Sequence, residues 1–287
     1  MKFQGVNVME HKNIHLKEFF PALGQDGRDA TVEAYFQRNM TEMKRQDRKR
    51  PVMIVCPGGG YGMCSQREAE PIAMEFLPDG FNVFVLQYSV SPNRFPVQLQ
   101  EIAALIEVIY ANSDAWNCDT DKIAMIGFSA GGHLVAHYSN AYDCPEVRAM
   151  FPESKPVNAA ILGYPVISAD PRIGHMGSFT NLTGKETRTP EEIEKFSCEK
   201  MVSEKTPPTF LYHMAEDALV PAVNSVVYAQ ALLEKKIPCE LHIYPHGYHG
   251  TATCNAQTGD NLSAAALHSA EWLQKARKWL HYMGIYY

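Results

Sequence analysis

The sequence predicts an α/β fold in which a mostly parallel central sheet is flanked by helices, with an antiparallel edge at the N-terminal end. Three observations predict it. From Pro51 onward, short apolar runs alternate with helical patterns; one run leads directly into the turn Gly127-Phe128-Ser129-Ala130-Gly131; and two later runs each end in a loop that carries an acid or a histidine. Repeated β-α units bury a parallel sheet between two layers of helices.

The elements follow in order. Residues 14–19 and 31–37 are rich in β-formers and make the antiparallel edge. Residues 51–56 form an apolar strand ending in a glycine loop, 71–76 a helix and 82–87 a second apolar strand. Over 97–112 the apolar residues Leu99, Ile102, Leu105, Ile106 and Ile109 recur at helical spacing. Strand 122–126 and helix 131–142 flank the Ser129 turn. Strands at 159–162, 210–213 and 241–244 then alternate with helices at 222–235 and 263–280. Residues 168–206 interrupt this rhythm with glycines, charges and a polar helix near 190–200, and read as a lid or binding loop, the alternative being a surface excursion. No composition shift divides the chain, so 1–287 is expected to be one domain.

Composition narrows the function classes. With 287 residues, 46% of them hydrophobic, the chain can bury a full core. A formal charge of -6 argues against a nucleic-acid partner, whose binding rests on concentrated positive charge. Lys44, Arg45, Arg48, Lys49 and Arg50 are interrupted by Asp47 and read as a solvated connection. The seven cysteines are odd in number and without metal-binding spacing, which predicts reduced thiols and no metal. With no apolar leader core at the N-terminus and no run of about 20 apolar residues, no membrane partner and a cytoplasmic location are expected.

The chemistry centres on Ser129. A serine hydroxyl needs a base to become nucleophilic and must stand clear of its own backbone. A sharp strand-to-helix turn with small neighbours, here Gly127, Ala130 and Gly131, provides that exposure. The candidate acids, Glu216 and Asp217, follow strand 210–213, and the candidate bases, His246 and His249, follow strand 241–244. Gly250 permits a tight turn that favours His249. A metal reading of the two histidines lacks further ligands. Cys56-Pro57-Gly58-Gly59-Gly60-Tyr61 exposes backbone N–H groups after the first parallel strand but lacks either phosphate-loop pattern.

These segments, PGGGY at 57–61, GFSAGGHL at 127–134, TPPTFLYH at 206–213, EDALVP at 216–221 and HGYHG at 246–250, resemble acetyl and acetylxylan esterases of the α/β-hydrolase superfamily, relatives of the hormone-sensitive lipase and dienelactone hydrolase groups. The resemblance runs from about Pro51 to Leu280. It implies an α/β-hydrolase fold and a nucleophile Ser129 with base His249 and acid Asp217, whose D-x-x-V-P ending matches the superfamily's acid loop. It also implies an oxyanion hole from Gly59, Gly60 and Ala130, with Tyr61 as a substrate contact. Pro57 stands where lipase relatives commonly carry histidine, which weakens a lipase reading. The implied reaction removes small acyl groups, chiefly acetyl, from sugars or oligosaccharides such as acetylated xylan fragments, without a cofactor and with a homo-oligomer as one possible assembly. Two rivals stay open here: a peptidase of the prolyl-oligopeptidase type and a catalytically silent binding protein on the same scaffold.

Overall fold

The computed structural model describes residues 9–23, 29–40, 42, 44, 47–259 and 264–287. Its strands are β1 (Glu10–His15), β2 (Thr31–Phe36), β3 (Arg50–Cys56), β4 (Asn82–Gln87), β5 (Cys118–Phe128), β6 (Ala159–Gly163), β7 (Thr209–Met214) and β8 (Cys239–Tyr244). They form one eight-stranded sheet in the order β1-β2-β4-β3-β5-β6-β7-β8. β1 and β2 run antiparallel and the rest parallel, as the alternation predicts.

The helices are α1 (Leu16–Phe19), α2 (Glu70–Phe76), α3 (Val97–Ala111), α4 (Ala130–Ala141), α5 (Pro145–Arg148), α6 (Met176–Thr183), α7 (Pro190–Phe196), α8 (Cys198–Met201), α9 (Val223–Glu234), α10 (Ala264–Ser269) and α11 (Glu271–Tyr282). Strands β3, β6 and β7 are buried along their whole length, because helices cover both faces of a parallel sheet. Along β3, Val52, Ile54 and Cys56 join a core with α3, α4 and α9, while Met53 and Val55 join a second core with α2 and α11. Alternate residues of a strand face opposite sides, so the two cores lie on the two faces of the sheet. Helix α11 seats itself through Trp272, Leu273, Ala276, Trp279 and Leu280, an apolar stripe at helical spacing.

Three elements differ from expectation. The strand expected at 14–19 stops at His15, where Lys17 N–H donates to Asp29 Oδ1 at 3.1 Å and Leu16 N–H to the Ala30 carbonyl at 3.1 Å. Those bonds curl the chain into α1 and bury Leu16. The helix expected over 263–280 is two helices that meet at Ala270, and position 263 lies outside the described residues. Within 168–206 there are three helices instead of one; α7 starts at a capping box between Thr189 and Glu192, with Pro190 at the first helical position.

Candidate active site

β5 ends in the middle of the sheet, and the chain reverses into α4 at Ser129, whose φ of 53° and ψ of -121° lie outside the regions ordinary residues occupy. Neighbouring glycines allow the reversal. A Cβ on Gly127 would collide with the Gly131 carbonyl, and one on Gly131 with the carbonyl oxygens of Cys56 and Pro57. Ser129 N–H donates to the Gly163 carbonyl at 3.0 Å, and the Ser129 carbonyl accepts from His133 and Val166. The strained residue is thus held from several sides.

The loops after β7 and β8 bring the acid and the base together. His249 Nδ1 lies 2.6 Å from Asp217 Oδ2, and His249 Nε2 lies 2.8 Å from Ser129 Oγ. Since a carboxylate only accepts, Nδ1 carries the proton and Nε2 is free to accept from the serine hydroxyl. Asp217 Oδ1 accepts from the Leu219 and Val220 amides, each at 2.9 Å. Its second oxygen also lies 3.3 Å from His213 Nε2. Burial works to raise the Asp217 pKa, but hydrogen bonds from His213 and His249, the charge of His249 and the Val220 amide together hold it below the usual carboxylate range. His246 and Glu216 pair with each other at 2.9 Å on the outside of the same loops.

The glycine loop forms the facing wall. Gly59 and Gly60 have φ of 122° and 64°, a left-handed backbone that glycine adopts without strain. Among the described residues, the N–H groups of Gly59, Gly60 and Ala130 have no hydrogen-bond acceptor. A cavity of about 430 Å³ opens beside Ser129, lined by Gly59, Gly60, Glu68, His175, Asn181 and His249 among others. Residues of 168–206 reach it: Asn181 Nδ2 donates to the Gly60 carbonyl at 2.9 Å, and His175 caps α6 by accepting from Ser178 N–H through Nδ1. Burial, reinforced by the charge of His249, pushes the His175 pKa below its ordinary value.

Tyr61 departs from its expected role as a substrate contact. Its side chain does not line the cavity; it is 1% exposed and its hydroxyl donates to His133 Nδ1 at 2.8 Å. His133 Nε2 in turn donates to the Phe196 carbonyl at 2.9 Å, so Tyr61 ties the glycine loop to α4 and to α7. The aromatic ring drives that burial, and the buried hydroxyl must then find a partner.

Other contributors are absent from the motifs. Glu68, 3% exposed, accepts from Gly58 N–H at 2.8 Å through Oε2 and from the Tyr164 hydroxyl at 2.7 Å through Oε1. The Tyr164 ring lies 5.0 Å from the His249 ring, and its hydroxyl accepts from Ala252 N–H. One carboxylate therefore braces both the glycine loop and the wall behind the imidazole. Its only sequence signal is an acidic residue shortly after the glycine loop, which composition does not distinguish from a solvated one. Among the described residues, no three His, Cys, Asp or Glu side chains converge as a metal site. Nor is any helix there long and apolar enough to cross a membrane.

Comparison with known proteins agrees with this architecture. The family model BD-FAE matches residues 39–232. Endo-1,4-beta-xylanase B of Butyrivibrio fibrisolvens is 37% identical over 245 residues, 82% of this chain and 38% of that protein. An acetylxylan esterase of Xylanibacter ruminicola is 33% identical over 202 residues, 69% of this chain and 40% of that protein. The chain thus spans about two-fifths of the length of these curated relatives. An acetyl ester-xyloside bifunctional hydrolase from Caldicellulosiruptor lactoaceticus superposes with a TM-score of 0.83 at 30% identity, covering 99% of this chain and 100% of that one. With its sheet order, its strand-to-helix turn at Ser129 and a family match over more than half its length, the chain belongs to the BD-FAE family and has the α/β-hydrolase fold.

Proposed function

We propose that the protein is a serine carboxylic ester hydrolase that removes small acyl groups, chiefly acetyl, from sugars or oligosaccharides. The observation that carries this reading is the His249 side chain, whose two nitrogens reach Asp217 and Ser129 at 2.6 and 2.8 Å. In the proposed reaction His249 Nε2 takes the Ser129 hydroxyl proton as Oγ attacks the ester carbonyl. Asp217 holds the tautomer that leaves Nε2 free and stabilises the imidazolium that forms. The amides of Gly59, Gly60 and Ala130 receive the oxyanion. The imidazolium then gives its proton to the departing alcohol, and water, activated by the same nitrogen, releases the acid from the acyl-enzyme.

The acyl preference and the sugar are supported by the acetylxylan esterase and the acetyl ester-xyloside hydrolase among the similar proteins. The test is a panel of acetyl, butyryl and feruloyl esters together with acetylated xylo-oligosaccharides, run on the parent and on Ser129→Ala. Ser129→Ala should lose up to about 10⁶-fold in turnover with its fold intact. Retained turnover would sink the assignment of the nucleophile, and equal rates across acyl lengths would remove the acetyl preference.

A further inference from the structure

Arg67 lines the same cavity as Ser129 and His249 and is exposed. Among the described residues its guanidinium has no hydrogen-bond or ion-pair partner. Glu68, the one acidic side chain among the lining residues, does not pair with it; its two carboxylate oxygens accept from Gly58 N–H and the Tyr164 hydroxyl. The guanidinium is seated against Gly250: a Cβ built there would lie 3.1 Å from Nη2 and 3.3 Å from Cζ. A planar fork of donors held beside a glycine and left unpaired is suited to bidentate capture of a carboxylate.

Gly250 follows His249 in the chain, which gives this cation a side. His249 Nε2 protonates the leaving oxygen, so the alcohol half of the ester departs past His249, whereas the acyl oxygen turns toward Gly59, Gly60 and Ala130. Through its contact with Gly250, Arg67 stands on the His249 side of the cavity, the side on which the alcohol half would leave. We propose that Arg67 forms a subsite for a carboxylate on that half, so that the preferred substrates are acetyl esters of acidic sugars, in which the esterified unit or its neighbour is a uronic acid. The inference rests on the ester-hydrolase reading above and adds the charge of the substrate to it.

The test compares kcat/KM for two methyl glycosides acetylated at the same hydroxyl, a glucuronoside and a glucoside, with p-nitrophenyl acetate and p-nitrophenyl hemisuccinate alongside. The parent should favour the glucuronoside by about 10-fold or more, mainly through KM, as expected for one charge-assisted pair. Added salt should shrink that preference. Arg67→Gln should bring the ratio to about one, and Arg67→Glu should invert it. A parent ratio near one, or a ratio unchanged in Arg67→Gln, overturns the subsite while p-nitrophenyl acetate turnover leaves the hydrolase reading standing. A carboxylate preference confined to the hemisuccinate overturns it as well, by moving the anion to the acyl half. No turnover of any of these esters would overturn both.

Discussion

Two acid–histidine pairs sit on the same two loops, one residue apart on the acid side and three apart on the histidine side. Asp217 and His249 meet at 2.6 Å with side chains 0% and 13% exposed, whereas Glu216 and His246 meet at 2.9 Å with side chains 59% and 64% exposed. In the sequence, only the D-x-x-V-P ending and the glycine after His249 favour the inner pair. Among the described residues the inner pair reaches a third member, Ser129 Oγ, and its buried acid accepts from two backbone amides, those of Leu219 and Val220. An exposed ion pair contributes little because water screens it and side-chain entropy opposes it. The inner pair is largely buried, and at low local dielectric a fixed carboxylate orients an imidazole more effectively than it does in water.

The comparison breaks most sharply at the histidines. His249→Ala should lower turnover of an acetyl ester by roughly 10⁴- to 10⁶-fold, while His246→Ala should stay within about twofold in the same steady-state assay. If both variants lose activity alike, the distinction between the pairs fails. At the acids, Asp217→Asn should cost on the order of 10⁴-fold by favouring the wrong imidazole tautomer, and Glu216→Gln should cost almost nothing.

A smaller effect sharpens what holds the inner pair in place. Glu68→Gln offers one acceptor oxygen where two donors, Gly58 N–H and the Tyr164 hydroxyl, need one each. Turnover should fall by about 10- to 100-fold with circular dichroism unchanged, and a variant as fast as the parent would show that neither wall needs the brace.

The remaining expected effects are on stability. Asp217 has a folded pKa held below its ordinary 3.8, so its contribution is present above that value and is lost as pH falls through the folded one. Urea unfolding of Asp217→Asn should therefore depend less on pH on the acid side than that of the parent. Glu101 has the opposite sign. Burial, only partly offset by hydrogen bonds from Ser89, raises its pKa from 4.5 to about 7, so parent stability should decline as pH rises through that window. Glu101→Gln should flatten this decline, which is of the order of 3 kcal/mol.

Much of the site was legible because each member closes a local pattern. Ser129 follows an apolar run and precedes a helix, and Asp217 and His249 each follow a strand, so strand alternation alone brings them to one edge of the sheet. Supporting residues are harder to read. Glu68 acts through Tyr164, which is remote in the sequence, and no periodicity links them. His175 and Asn181 lie in a segment whose path over the cavity depends on tertiary packing. Tyr61 misled because adjacency to the glycine loop says nothing about which way an aromatic ring turns, and the ring turned inward to His133. The early strand ended sooner than its β-formers suggested because Asp29 captures the backbone at Lys17.

The position of β5 between β3 and β6 has a consequence for how the protein dies. The serine turn is anchored to β6 by the Ser129–Gly163 bond and to the next segment by the Val166–Ser129 bond. Opening the turn alone would break both bonds. Amide protons of β5 should be among the slowest to exchange with solvent, and they should exchange only through global unfolding. Thermal inactivation should then track loss of the whole sheet: a heated population would be a mixture of fully competent and fully unfolded molecules, with no long-lived, folded but inactive form arising at the serine turn.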